Sequence, residues 1–185
     1  MDLASVKSHY AAKLEQFGAS AQGVDWKDDD AQLDRLRALC LLFGNKVGFS
    51  VNDWGCGYGH LAYLVSTDDY TGYDIVPQDL QLGAFVLADA PQRIADYTVA
   101  SGLFNVMAGA DFSDWQIYVI NCIKKMDECS RVGYGFNMLH TRADKKQDGL
   151  FYSSPGWVMA HLPPHERVSI LQTYSPYDFT ILVNR

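Results

Sequence analysis

Three carboxylates in this 185-residue sequence each follow a short apolar run: Asp53 in "VNDWGCGYG", Asp74 in "TGYDI" and Asp89 in "LADA". Between the first two lies a glycine turn in which Gly55, Gly57 and Gly59 alternate with Cys56 and Tyr58. Glycine lacks a Cβ, so such a turn is tight and lets backbone approach a ligand closely. The spacing is G-x-G-x-G, whereas a dinucleotide fingerprint reads G-x-G-x-x-G. Asp53 stands two residues before the first glycine, where a carboxylate repels a pyrophosphate and attracts an ammonium group. The amides of the helix expected to follow would favour an anionic or strongly accepting group. Asp74 lies 74 − 53 = 21 residues beyond Asp53, where a strand-end carboxylate can accept from both ribose hydroxyls. At Asp89 a carboxylate can accept from an adenine amino group while the Ala90 amide donates to a ring nitrogen. Ile75 would cover one face of the base. These types in this order describe a nucleoside ligand with a cationic end.

The elements that must position these groups follow from periodicity. "SVKSHYAAKLEQF" carries apolar residues near helical spacing, and Gly18 ends the helix. A polar loop holding Trp26 leads to a second helix, "AQLDRLRALCLLFG", with Asp30 as its expected cap. "VGFSVNDW" reads as the first strand, and a helix is expected from about Tyr58 through Leu61, Leu64 and Val65. "DYTGYDI", "GAFVLAD", "ADYTVASGLFNVM" and "VGYGFNML" supply four more strands, with a long amphipathic helix over 111–130 before the last. Residues 140–166 read as irregular, and two C-terminal strands joined around Ser175 and Pro176 form an antiparallel hairpin. Strands alternating with helices imply a parallel sheet covered on both faces. One domain accounts for the whole chain, with 1–44 as a helical lid and 45–185 as the α/β core.

The motifs "DWGCGYG", "GYDI", "LADA" and "ASGLFN" resemble those of the class I S-adenosylmethionine-dependent methyltransferases. The resemblance covers roughly residues 45–185. It implies a Rossmann-like α/β fold: a seven-stranded, mostly parallel sheet, helices on both faces and a C-terminal antiparallel hairpin. It also implies S-adenosyl-L-methionine as cofactor. By that resemblance Asp53, Gly55, Cys56 and Gly57 hold the methionine moiety, Asp74 holds the ribose, and Ile75, Asp89 and Ala90 take the adenine. Ser101 and Gly102 lie beside the methionine end. Two departures are visible: the stretch between Asp74 and Asp89 is too short for a full second helix, and Trp54 stands where the family carries a smaller residue.

Composition bounds the acceptor. The formal net charge is −7 and the pI about 5.0, which disfavours a broad nucleic-acid surface. Lys124, Lys125, Arg142, Lys145 and Lys146 read as solvated faces. "ASGLFN" lacks the two prolines that methyltransferases of adenine or glutamine amino groups carry after the fourth strand. The expected acceptor is therefore a small molecule with an oxygen or nitrogen nucleophile. A protein or RNA acceptor, a non-catalytic binding module and a nicotinamide oxidoreductase stay open as rivals. Tyr10 and Trp26 are expected to close over the cofactor, and 140–166 to wall the acceptor with Tyr152, Ser153 and Trp157. His140 is the candidate general base. Pro163 and Pro164 break the helix on which His161 and His165 could share a zinc ion, so no metal is expected. Four cysteines without a C-x-x-C pair read as reduced thiols of a cytoplasmic protein. No segment reaches the roughly 18 apolar residues of a membrane span. So short a chain leaves little mass for a substrate domain, and a homodimer would help build the pocket.

Overall fold

The computed structural model describes residues 2–164 and 167–185. Its centre is a mixed sheet whose strands are β1 (Ser50–Trp54), β2 (Asp69–Asp74), β3 (Ala84–Leu87), β4 (Ala95–Ala100), β5 (Ser130–His140), β6 (Tyr152–Ser153), β7 (Arg167–Leu171) and β8 (Asp178–Asn184). They lie in the order β3-β2-β1-β4-β5-β8-β7, with β6 pairing beside β5. The first five pair in parallel, and β8 runs antiparallel between β5 and β7. This is the expected seven-stranded path with its C-terminal hairpin, plus a two-residue eighth strand. The helices are α1 (Ala4–Phe17), α2 (Asp29–Cys40), α3 (Phe112–Glu128) and α4 (Pro155–Met159).

The alternation of β5 explains how both faces are covered. Tyr134, Phe136 and Met138 point to one face, into the cluster with Trp115, Val119, Ile123 and Met126 of α3. Gly133 and Gly135 point to the other, where a Cβ on Gly135 would lie 2.9 Å from Leu182 and 3.3 Å from Leu39. The absent side chains let α2 sit close to the sheet with Leu36 and Leu39 buried. Burying each such large apolar side chain contributes about 1.5–3 kcal/mol. Asp28, rather than Asp30, caps α2 by accepting from the Ala31 amide at 2.8 Å. The helix ends at Cys40, and turns carry the chain on from there.

The helix inventory is thinner than expected. The helix awaited from Tyr58 is a 3-10 turn, His60–Tyr63. Gly59 enters it in the left-handed conformation, and the chain must turn back into β2 at Asp69, which leaves no length for α-helical turns. The connections 75–83 and 88–94 carry no helix, in line with the short spacing between Asp74 and Asp89. Within 140–166, expected to be irregular, β6 and α4 form. Among the described residues no helix is long and apolar enough to cross a membrane.

Candidate cofactor site

A cavity of about 500 Å³ opens at the carboxyl ends of β1, β2 and β4, beneath α1 and the loop carrying Trp26. Asp53, Gly55, Cys56, Gly57, Asp74, Ile75, Asp89, Ser101, Gly102, Tyr10 and Trp26 all line it. Ala90, the last residue of the third motif, does not: it packs against the core. The parallel register explains the gathering, since Asp53 aligns with Gly72 on one side and Val99 on the other, bringing three strand ends to one rim.

The glycine turn satisfies itself. The Gly55 and Cys56 amides donate to the Tyr73 carbonyl at 2.8 and 3.1 Å, and the Gly59 amide to the Cys56 carbonyl at 3.0 Å. The Gly57 amide donates to Asp74 Oδ2 at 3.0 Å. The Gly55, Cys56, Gly57 and Gly59 amides are thus engaged within the protein, and where a helix was expected to present its first amides the chain makes a short 3-10 turn. Gly55, Gly57 and Gly59 all have φ between 51° and 79°, which side chains with a Cβ rarely adopt. Gly72 is needed for another reason: the turn passes over it, and a Cβ there would meet the Cys56 sulfur at 2.7 Å.

Asp53 is 3% exposed and accepts from the Tyr70 hydroxyl at 2.6 Å. Burial pushes its carboxyl up to about 7; the Tyr70 hydrogen bond pulls back and the neighbouring Asp74 charge adds to the rise. Asp74 is also raised by burial, against the amide hydrogen bonds from Val76 and Gly57. Burial drives the Cys56 thiol far up, so it stays protonated and packs as a small apolar group.

Two positioning residues received no role from the sequence. Trp54 donates from its indole nitrogen to the Asp89 carbonyl at 2.9 Å, tying the third motif to β1 where no helix holds it. Its unusual size was the available signal. Asn137, buried on β5, accepts from the Gly102 amide at 2.9 Å and donates to Ser101 Oγ at 3.1 Å. That pair of bonds holds the loop after β4, and no local pattern marks it.

The segment 1–44 is tied down at three points. Asp25 pairs with His9 at 2.8 Å and Lys13 at 2.7 Å, joining the loop to α1. Burial acts to raise the Asp25 carboxyl, but the Lys13 and His9 hydrogen bonds and charges outweigh it and hold it below the usual value. Arg35 of α2 stacks over the Trp26 ring at 4.4 Å and pairs with buried Asp178 at the start of β8. The Trp26 ring in turn rests on Gly102, where a Cβ would stand 2.7 Å from Cζ2. Tyr58 donates to Gln32 at 2.5 Å, locking α2 to the glycine turn beside His60.

The chain is 35% identical to the Mycobacterium tuberculosis protein named "Putative methyltransferase Rv1506c", across 74% of this chain and 93% of that one. The chain belongs to the class I S-adenosylmethionine-dependent methyltransferases. No family model matches it. Its fold is shared with a magnesium protoporphyrin IX methyltransferase from Synechocystis PCC 6803 with bound S-adenosylhomocysteine, at TM-score 0.65 and 11% identity over 100% of both chains. It is shared too with the N-methyltransferase NodS of Bradyrhizobium japonicum in complex with S-adenosylhomocysteine, at TM-score 0.63 and 12% identity over 98% of each. Both of these solved structures hold S-adenosylhomocysteine. Four carboxylates line the cavity of this chain: Asp53, Asp74 and Asp89 at or just beyond the strand ends, and Asp25 on the overlying loop.

Beyond the cofactor end, the methyltransferase's cavity continues along the segment after β5. His140 does not reach it. Strand β5 runs through this residue, so the two-residue period turns Leu139 to the cavity and His140 away from it. The imidazole packs edge-on against Phe179, with Nδ1 accepting from the Arg142 amide at 2.9 Å. The expectation of a general base at His140 is therefore corrected. Of the expected acceptor wall, Tyr152 lines the cavity, whereas Ser153 is buried and Trp157 packs on Phe151. His161 donates from Nδ1 to the Trp157 carbonyl at 2.8 Å, within its own turn, and His165 lies outside the described residues.

Proposed function

We propose that this enzyme methylates a small molecule at oxygen or nitrogen within the cavity, using S-adenosylmethionine held by the residues gathered at the strand ends. When bound, the cofactor supplies an electrophilic methyl carbon on a sulfonium, displaced directly as the bonding electron pair returns to sulfur. Asp53 offers its charge to the cofactor's ammonium group, through the pocket or a water. Asp74 accepts from the ribose hydroxyls while bracing the glycine turn. Asp89 and Ile75 face the adenine, Asp89 by hydrogen bonding and Ile75 by contact with the ring. Gly102 brings bare backbone to the methionine end. Tyr10 and Trp26 exclude water above it, and the protein's main catalytic contribution is alignment of the nucleophile with the methyl group.

The observation that carries the reading is the covered cavity: α1, Trp26 and the segment after β5 roof a volume of about 500 Å³, within the range of small-molecule sites. The net charge of −7 also speaks against an RNA acceptor. The test uses S-adenosylmethionine labelled in its methyl group, incubated with the enzyme and a cell extract, then separated by ultrafiltration. Label is expected in a low-mass product that separates chromatographically from S-adenosylmethionine and does not form without the enzyme. Label retained with protein or RNA would overturn the small-molecule reading.

A further inference from the structure

The end of the cavity that the cofactor residues leave over is built as one unit. Asn105, three residues beyond Gly102, is held by its backbone at both ends: its amide donates to the Gly102 carbonyl at 3.2 Å and its carbonyl accepts from the Phe151 amide at 2.8 Å. Val106 pairs with Leu150 in an antiparallel bridge, and the Met107 amide donates to the Gly149 carbonyl at 2.9 Å. The loop after β4 is thereby zipped to the segment 149–151, and Tyr152 follows directly. Asn105, Tyr152 and Lys145 all line the cavity here, among the apolar side chains of Leu103, Leu139 and Leu150.

Each of the three polar groups has capacity to spare. Asn105 is 9% exposed, and its Oδ1 is buried with no hydrogen-bond partner. A buried amide oxygen left unpaired costs on the order of 1–3 kcal/mol; a turn of the carboxamide about its soft terminal torsion would bring this oxygen onto the cavity surface, where a ligand donor satisfies it. The Tyr152 oxygen accepts from the Gln147 amide at 2.9 Å, which leaves its own proton to donate. Of the other lysine and arginine lining the cavity, Lys27 lies 3.6 Å from Asp28 and Arg35 pairs with Asp178, whereas Lys145 has no ion pair or hydrogen bond among the described residues.

Resting on the assignment of the cofactor end above, we infer that the acceptor is a small apolar-bodied acid bearing a protic nucleophile. Asn105 Oδ1 accepts from the nucleophile's O–H or N–H and so turns a lone pair toward the methyl end beside Gly102. Lys145 and the Tyr152 hydroxyl take the acid group at the outer end. On transfer the nucleophile's lone pair becomes the new bond to carbon, and its proton passes to water, since a carboxamide has no capacity to keep it.

The test measures binding without turnover. The enzyme is saturated with S-adenosylhomocysteine and titrated with 3-hydroxybenzoate and 4-hydroxybenzoate as probes, by ligand-observed NMR and calorimetry. 4-Methoxybenzoate removes the donor and 4-hydroxybenzyl alcohol removes the acid. At least one hydroxybenzoate is expected to bind, with both controls weaker by about five-fold or more, the scale of one charge-assisted hydrogen bond partly open to water. Asn105→Ala should abolish the preference over the methoxy compound, and Lys145→Gln the preference over the alcohol. Binding of neither hydroxybenzoate, or survival of either preference in its variant, overturns the inference. A separate titration of S-adenosylhomocysteine into the wild type and both variants keeps the two levels apart. Affinity within about two-fold across all three is expected, because neither side chain belongs to the cofactor end. Failure of the wild type to bind S-adenosylhomocysteine would overturn the cofactor assignment itself.

Discussion

Asp53 makes cofactor affinity and protein stability respond to pH in opposite directions. Its carboxyl is lifted from the usual 3.8 to about 7, mainly by burial. An ammonium group is drawn to the ionised form only. With a pKa near 7, roughly 9% of the free enzyme is ionised at about pH 6 and roughly 76% at about pH 7.5, so affinity should rise about eight-fold over that interval. The assay is calorimetric titration of S-adenosylhomocysteine at the two pH values, in wild type and in Asp53→Asn. The variant should bind weakly and show no such rise, which assigns the effect to Asp53. Stability supplies the second readout. The folded protein holds the Asp53 proton to about pH 7, whereas the unfolded chain releases it near 4. The native state therefore binds more protons between those values, and this group's contribution to stability falls as pH rises through that window. Urea midpoints at about pH 5 and about pH 7 should show a decline that Asp53→Asn flattens. Equal cofactor affinity at both pH values in the wild type, or the same rise in the variant, would refute the reasoning.

Three further outcomes are expected. Arg35→Met strands Asp178, 2% exposed and left with only its Ser175 hydrogen bond of 2.7 Å; urea unfolding should show a loss of about 3 kcal/mol, much of it recovered in the double variant with Asp178→Leu. Gly102→Ala forces a Cβ to 2.7 Å from Trp26 at φ +75°, so S-adenosylhomocysteine affinity should drop about ten-fold or more with a shift in tryptophan fluorescence, at a backbone cost of about 1–2 kcal/mol in stability. Asp74→Ala removes the acceptor of the Gly57 and Val76 amides as well as of the ligand hydroxyls; cofactor affinity should weaken by about 1–3 kcal/mol in calorimetry with a measurable fall in melting temperature.

What the sequence by itself determined was the set of strand-end groups. A strand places side chains with a period of two and stops where glycine and aspartate accumulate, so Asp53, the glycine turn and Asp74 were legible from spacing alone. The aromatic–glycine alternation of "VGYGFNML" likewise announces a strand with one crowded and one open face. Short-range rules failed where length or partners decided the outcome. The segment after Gly59 has helix-compatible residues, but β2 begins too soon for an α-helix. His140 is well spaced for a base, yet the extension of β5 by one residue turns it into the core. The partners of the glycine amides, the Trp54 and Asn137 tethers, the Arg35 clasp on Trp26 and the unpaired Asn105 oxygen were decided only by the tertiary structure. Nearly all depend on which residues far apart in the chain come together and on their burial and direction, and none of these is set until the sheet has closed around them.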